Sequence, residues 1–266
     1  MSLKPEALKY LAPEFEGRFK KPVAEVAENP SVEVPQALKL QKLFNFDVEE
    51  YPFADLIREA FLMKPYNPSY RVDEGTPLDE FEGSLSKIHL TAEGRRSIEN
   101  PPRSKKQGDA FRKRWQAALN RKNFEARIKK VIRSFVQQVA AGELGVPTSA
   151  LIYQAEPSLR VNLPQAKPVG LCHTDSDYNH QPGEINFWIP VMEDCGVFDS
   201  NSLLSESSPG VGDFTSFRTS KYGEGVRFYG NKCRHYTVKN ETEVTRVSID
   251  IRVVPDTLFV PEWKNA

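Results

Sequence analysis

Residues 244–254 read VTRVSIDIRVV, and the two faces of this stretch separate cleanly. Val247, Ile249, Ile251 and Val253 fall on one side of an extended chain, while Arg246, Ser248, Asp250 and Arg252 fall on the other. Strict alternation over this length is the pattern of a β-strand with one apolar face. The other face is polar throughout, so it either meets solvent or lines a cavity. A buried arginine needs an anionic partner, and its planar fork suits a carboxylate in bidentate fashion.

Working outward, the chain from about Pro147 onward keeps this texture. Short β-branched and aromatic runs are separated by Pro, Gly, Asp and Asn clusters, which predicts an all-β unit. Strands are expected near SALIYQ, LRVNL, VGLCH, EINFWIPV, SLLSE, VRFYG, CRHYTV and the alternating stretch itself. Eight short strands in about a hundred residues predict a β-sandwich or barrel of jelly-roll type. The stretch before it reads as helix. Phe124, Ile128, Val131, Phe135 and Val139 recur at steps of three or four. LNRKN interrupts the helical pattern, Asn123 is the expected N-cap, and Gly142 and Gly145 should punctuate the end. The first hundred residues are proline-rich and irregular, with short helices expected at ADLIREAFLM and LSKIHL. The expected architecture is one domain over 1–266. Its helical and irregular part covers 1–146, packed on one sheet of a β core over 147–258.

The 266 residues carry 36 Lys plus Arg and 36 Asp plus Glu, so net charge gives no bulk attraction to nucleic acid or membrane. No apolar run is long enough to span a bilayer, and MSLKPEALKYL has no apolar signal core. The expectation is a soluble cytoplasmic protein. Cys172, Cys195 and Cys233 match no zinc or redox spacing and predict no disulfide framework. Residues 95–133 hold 14 basic residues against three acids. Without stacking aromatics interleaved among them, they read as a solvated helix face and not as a nucleic-acid surface.

Two of the four histidines stand in HTDSDYNHQPGEINFWIP, which opens with His173, Thr174 and Asp175. On an extended chain His173 and Asp175 point the same way and could share one ion. A divalent iron site uses imidazole nitrogens and a carboxylate on one face, with the opposite positions open. A third ligand would come from His89, His180 or His235. His180 and Glu184 form H-x-x-x-E, but Pro182 and Gly183 between them argue against a helix. His180 is therefore expected on a loop at the cavity mouth with Tyr178, and His89, between Ile88 and Leu90, is expected to be structural.

The ordered set of His-x-Asp, a histidine about sixty residues on, and Arg-x-Ser eleven residues beyond that resembles the Fe(II)- and 2-oxoglutarate-dependent oxygenases. These are built on a double-stranded β-helix. EINFWIPV followed by NSLLSESSPG, and HYTVKNETEVTR, are similar to the phytanoyl-CoA-hydroxylase-like branch. HTDSDYNHQPGEINFWIP looks like oxygenases of the streptomycin-biosynthesis type. The resemblance covers about residues 150–255. It implies Fe(II) held by His173, Asp175 and His235, with 2-oxoglutarate and O2 as co-substrates. Arg246 and Ser248 would take the distal carboxylate, with Asn186 and Arg160 as further co-substrate contacts. Tyr178, His180, Arg252 and Glu206 are the expected substrate contacts. A carboxylate at 175, where related halogenases have a small residue, implies hydroxylation, desaturation or ring closure. The polar inward residues suit a small polar metabolite of the amino acid, amino sugar or cyclitol kind. Two alternatives stand beside this: the same chemistry on a protein or nucleic-acid residue, and a non-catalytic sandwich binding a carboxylate or sugar.

Overall fold

The computed structural model describes residues 32–63, 78–101, 110–166, 172–261 and 263. The strands, in chain order, are β1 (Lys42–Asn45), β2 (Leu151–Tyr153), β3 (Ser158–Asn162), β4 (Ile185–Pro190), β5 (Leu203–Ser205), β6 (Thr215–Ser216), β7 (Glu224–Phe228), β8 (His235–Thr237) and β9 (Arg246–Pro255). All pair antiparallel. The larger sheet runs β1-β7-β4-β9-β2, and β3 also pairs with β9. The smaller sheet runs β6-β5-β8.

The alternation of the opening stretch decides where each side chain goes. Val247, Ile249, Ile251 and Val253 join Ile185, Phe187 and Ile189 of β4 in one buried cluster. Helices complete it: α1 (Phe53–Leu62) brings Phe53, Ile57 and Phe61, and α2 (Lys122–Phe135) brings Phe124, Ile128, Ile132 and Phe135. Phe135 sits at its centre, with ring centroids 5.4 Å from Phe53, 5.6 Å from Tyr51 and 6.1 Å from Phe187. Burying one such ring contributes about 1.5–3 kcal/mol. Among the even-numbered residues of β4, Trp188 points the other way. It joins Met192, Val197, Phe217, Val226 and Phe228 in a second apolar cluster.

Several local expectations change. The helix starts at Lys122 with Arg121 as its capping residue, and no side chain caps it, so Asn123 is not the N-cap. Val131 and Val139 lie at the edge of the buried stripe, and Ile132, Val136 and Ala140 take their place. A π-helical turn over Val136–Ala140 accounts for the shift from position 139 to 140, because it inserts an extra residue into that turn. Gly145 ends the helical run in the left-handed region at φ 66°, but Gly142 lies inside a further short helix, Ala141–Leu144. β1 and β6 were not expected. β1 is held by pairing with β7, and Phe44 packs over Gly225, where a Cβ would lie 2.4 Å from the ring. Of the predicted VGLCH strand, residues 169–171 lie outside the described residues. What is described there is a single bridge between His173 and His235.

Within the basic segment, residues 102–109 lie outside the described residues. Arg127 pairs with Glu59 and Lys129 with Glu125 at the surface, whereas the Arg114–Glu93 pair is nearly buried and Arg114 also donates to the Phe61 and Met63 carbonyls. The three cysteines are free. No helix among the described residues is long and apolar enough to cross a membrane.

Candidate metal centre

The two histidines are placed by backbone. The His173 amide donates to the His235 carbonyl at 3.2 Å, and the His235 amide donates to the His173 carbonyl at 2.8 Å. Residues paired this way share a face, and the two rings lie 4.4 Å apart between centroids. His235 lies at the start of β8, whose other neighbour there is Ser205 of β5. Its Nδ1 is 3.0 Å from the Cys233 carbonyl. A carbonyl only accepts, so Nδ1 carries the proton and Nε2 keeps a free lone pair.

Two residues past His173 the chain turns into a short 3-10 helix, Asp175–Tyr178, capped by a reciprocal pair between Thr174 and Asp177. The Asp175 amide donates to the Gly230 carbonyl at 2.8 Å, which anchors this turn to the connection between β7 and β8. The Asp175 carboxylate is thereby carried to the histidines. Its Oδ1 lies 3.7 Å from His235 Nε2 and 4.0 Å from His173 Nε2. One ligating atom from each residue lies within 4.8 Å of the other two. Two imidazole nitrogens and one carboxylate oxygen form the donor set of a facial Fe(II) site, so these residues fit the ion.

Asp175 is 2% exposed and is held on its far side as well. Asn186 Nδ2 donates to Oδ2 at 2.9 Å, and Arg252 donates through Nε to Oδ2 at 3.1 Å and through Nη2 to Oδ1 at 3.3 Å. Burial works against the charge, yet the Arg252 guanidinium and the Asn186 amide hold the carboxyl well below the usual carboxylate range. Next to it, burial pushes the Asp250 carboxyl up, with the Asp175 charge adding to the effect and Arg252 opposing it.

Arg246 is different. It is 3% exposed, and its Nε and Nη1 have no hydrogen-bond partner among the described residues. Burial pushes its pKa down to about 10, with the charge of Arg160 adding to the effect. The Ser248 hydroxyl, two residues along the same face, is also buried without a partner. So are both amide atoms of Asn162, which pairs with Arg246 in the β3–β9 register. The guanidinium lies 5.8 Å from the Trp188 ring. From there Trp188, Phe217, Phe228 and His235 touch in turn at 5.6, 4.9 and 5.3 Å, an apolar floor leading to the metal-binding residues.

The remaining expected residues divide. Tyr178 is 39% exposed and sets its ring edge-on to His173 at 4.9 Å. His180 bonds Glu184 through Nδ1 at 2.8 Å, so the H-x-x-x-E pair forms on a loop. That loop is pinned by Asn231 Nδ2 to the His180 and Gln181 carbonyls and by the Tyr229 hydroxyl to the Pro182 carbonyl. Asn186 is turned toward Asp175, and Arg252 is committed to Asp175, Asp250, Glu184 and Gln154. Glu206 does not join the site, because its carboxylate accepts from the Gly210, Gly212 and Arg234 amides and holds the loop after β5. Arg160 is exposed on β3, opposite Ser248 in register. Asn162 was missed, although the alternation of LRVNL puts it on the same face as Arg160. Gln154 and Gly230 had no readable signal.

No protein-family model matches the chain. It is 29% identical over 221 residues to streptomycin biosynthesis protein StrG of Streptomyces griseus, covering 83% of this chain and 88% of that one. Among solved structures, AviO1 from Streptomyces viridochromogenes Tue57 is similar at TM-score 0.43 and 14% identity, over 90% of this chain and 100% of that one. A non-haem monooxygenase, ThoJ in complex with nickel, is similar at TM-score 0.43 and 12% identity, over 86% of each chain. EvdO2 of Micromonospora carbonacea var. aurantiaca, complexed with 2-oxoglutarate, is similar at TM-score 0.40 and 10% identity, over 85% of this chain and 93% of that one.

Proposed function

We propose that the protein is a non-haem Fe(II)- and 2-oxoglutarate-dependent oxygenase that hydroxylates a small polar metabolite, on a double-stranded β-helix core. One observation carries the reading: a His-Asp-His donor cluster on one side of an aromatic floor, with a buried guanidinium that lacks an anion on the other. A partnerless buried arginine is costly, and a ligand carboxylate matches its fork.

In this reading His173, Asp175 and His235 hold Fe(II) on one face. Arg246 and Ser248 take the distal carboxylate of 2-oxoglutarate. When bound, the iron and the keto acid supply, with O2, the oxidising power for attack on a C–H bond, and succinate and CO2 are released. Trp188, Phe217 and Phe228 would keep water from the apolar floor between Arg246 and His235. Cys233, through its carbonyl, keeps the His235 proton on Nδ1 and so leaves Nε2 available to the metal.

The likeness to a protein named for streptomycin biosynthesis supports a small-metabolite substrate of the amino sugar or cyclitol kind. Tyr178 at the exposed edge of His173, with His180 and Glu184 on the pinned loop beside it, gives such a polar molecule its contacts. The motif run from His173 to Ser248 supports the phytanoyl-CoA-hydroxylase-like branch. Anaerobic titration with Fe(II) and then 2-oxoglutarate tests the cofactor pair, through the visible charge-transfer band of the chelate. Its absence would refute the reading. Succinate release stimulated by polar metabolites, and not by acyl thioesters or proteins, tests the substrate class.

A further inference from the structure

We infer that Arg252 is a positioning residue which, with Asn186, clamps the Oδ2 edge of Asp175 so that the carboxylate offers the ion Oδ1 alone. The inference rests on the metal-centre reading above. Every nitrogen of Arg252 already faces a protein acceptor. Nε faces Asp175 Oδ2 at 3.1 Å, Nη1 faces Gln154 Oε1 at 3.3 Å, and Nη2 faces Asp175 Oδ1 at 3.3 Å and Asp250 Oδ2 at 3.4 Å. Glu184 Oε2 lies 3.7 Å from Nε and is itself tied to His180.

The second half of the clamp is equally constrained. Asn186 lies opposite Arg252 in the β4–β9 register, so both side chains leave the sheet on the same face. A Cβ on Gly230 would lie 2.8 Å from Asn186 Oδ1, so the glycine allows the amide to sit where it reaches Asp175. Oδ2 therefore accepts the two closer donors, at 2.9 and 3.1 Å, while Oδ1 is the oxygen turned to both imidazoles. A carboxylate held in this way uses one coordination position and cannot swing to cover two. It also shares its charge with the guanidinium, which leaves the ion more electrophilic. Removing partners of this kind typically weakens metal binding about 10- to 100-fold.

The test uses the full-length protein stripped of metal, titrated anaerobically with Co(II), and read by calorimetry and by the Co(II) d–d absorption spectrum. The wild-type protein is expected to bind one equivalent. Arg252→Gln should bind about 10- to 100-fold more weakly, with a less intense, altered band as Asp175 spreads over two positions. Arg252→Lys, which keeps the charge but not the fork, should fall between the two. Asn186→Ala, which removes the 2.9 Å bond to Asp175 and the longer ones to Asp250 but keeps the Arg252–Asp175 ion pair, should weaken binding less than Arg252→Gln and shift the band in the same direction. Affinity within twofold of wild type and an unchanged spectrum in these variants would overturn the proposal. Should Arg252→Gln not yield folded protein, Arg252→Lys and Asn186→Ala decide it on the same criteria. Failure of the wild-type protein to bind Co(II) at all would instead overturn the metal-centre reading, and the clamp with it.

Discussion

Arg246 and Arg252 leave β9 on the same face, six residues apart. Each nitrogen of Arg252 has a protein acceptor, whereas Nε and Nη1 of Arg246 have none among the described residues. Both are nearly excluded from solvent. Arg252 is tied into the protein's own scaffold; Arg246, in the proposed function, is the charge that a ligand carboxylate satisfies.

Arg246 should therefore be costly to the empty protein. Arg246→Leu is expected to raise the thermal midpoint of the metal-free protein by roughly 2–4 °C, about 1 kcal/mol in a chain of this size. The same variant should lose the added stabilisation that 2-oxoglutarate gives the metal-loaded protein. A lowered midpoint in the empty protein would show that the guanidinium has a partner of its own.

Metal binding should be visible as stability. Co(II) or Ni(II) at a hundredfold excess over its dissociation constant should stabilise the fold by about 2.7 kcal/mol. Chelation should reverse the gain. His235→Gln should show no metal-dependent shift in differential scanning calorimetry, because it removes one of the three donors.

His89 gives a pH signature away from the metal. Burial lowers its pKa below the ordinary 6.5, and its Nδ1 sits 3.0 Å from the Thr245 hydroxyl. The folded protein thus binds a proton less readily than the unfolded chain. The resulting stability is present above about pH 6.5 and is lost as pH falls through the lowered folded-state value. Urea unfolding of the wild-type protein and His89→Gln between pH 5 and 7 should show the wild-type protein losing more on acidification. A folded-state midpoint above 6.5 by NMR would contradict the sign.

Phe135→Ala should cost about 3–5 kcal/mol, since the ring is fully buried among Phe44, Phe46, Tyr51, Phe53 and Phe187. Chemical denaturation measures it. A loss below about 1 kcal/mol would mean that the core relaxes around the gap.

Glu206→Gln separates a structural carboxylate from a substrate contact. The amide would turn a donor toward backbone N–H groups that now meet an acceptor, at a cost of about 1–3 kcal/mol. The Michaelis constants for substrate and keto acid should not move.

The two faces of β9 were legible because its apolar residues Val247, Ile249, Ile251 and Val253 keep a period of two; β4 is buried on both faces and shows no such alternation. β1 was not legible. Four residues carry too little pattern, and they are extended only because β7 lies alongside. The π-turn was also hidden, since it depends on how Val136 and Ala140 meet the sheet and not on helix propensity. His173, Asp175 and His235 could be picked out as residue types, but Arg246 and Arg252 looked alike in the chain. What distinguishes them is where the turn bearing Asp175 and the loop bearing Glu184 come to rest, which is long-range information. Glu206 misled for the same reason: the amides that capture it belong to a loop that folds back after it.

The mutual backbone bridge of His173 and His235 makes the site a gauge of strand alignment. A slip of one residue between these segments would send one imidazole to the opposite side of the sheet and leave Asp175 facing a single nitrogen. Misaligned chains would then lack the three-donor cluster needed to hold a metal ion. Titrating a refolded preparation with metal would count its correctly assembled molecules, with no knowledge of the substrate required.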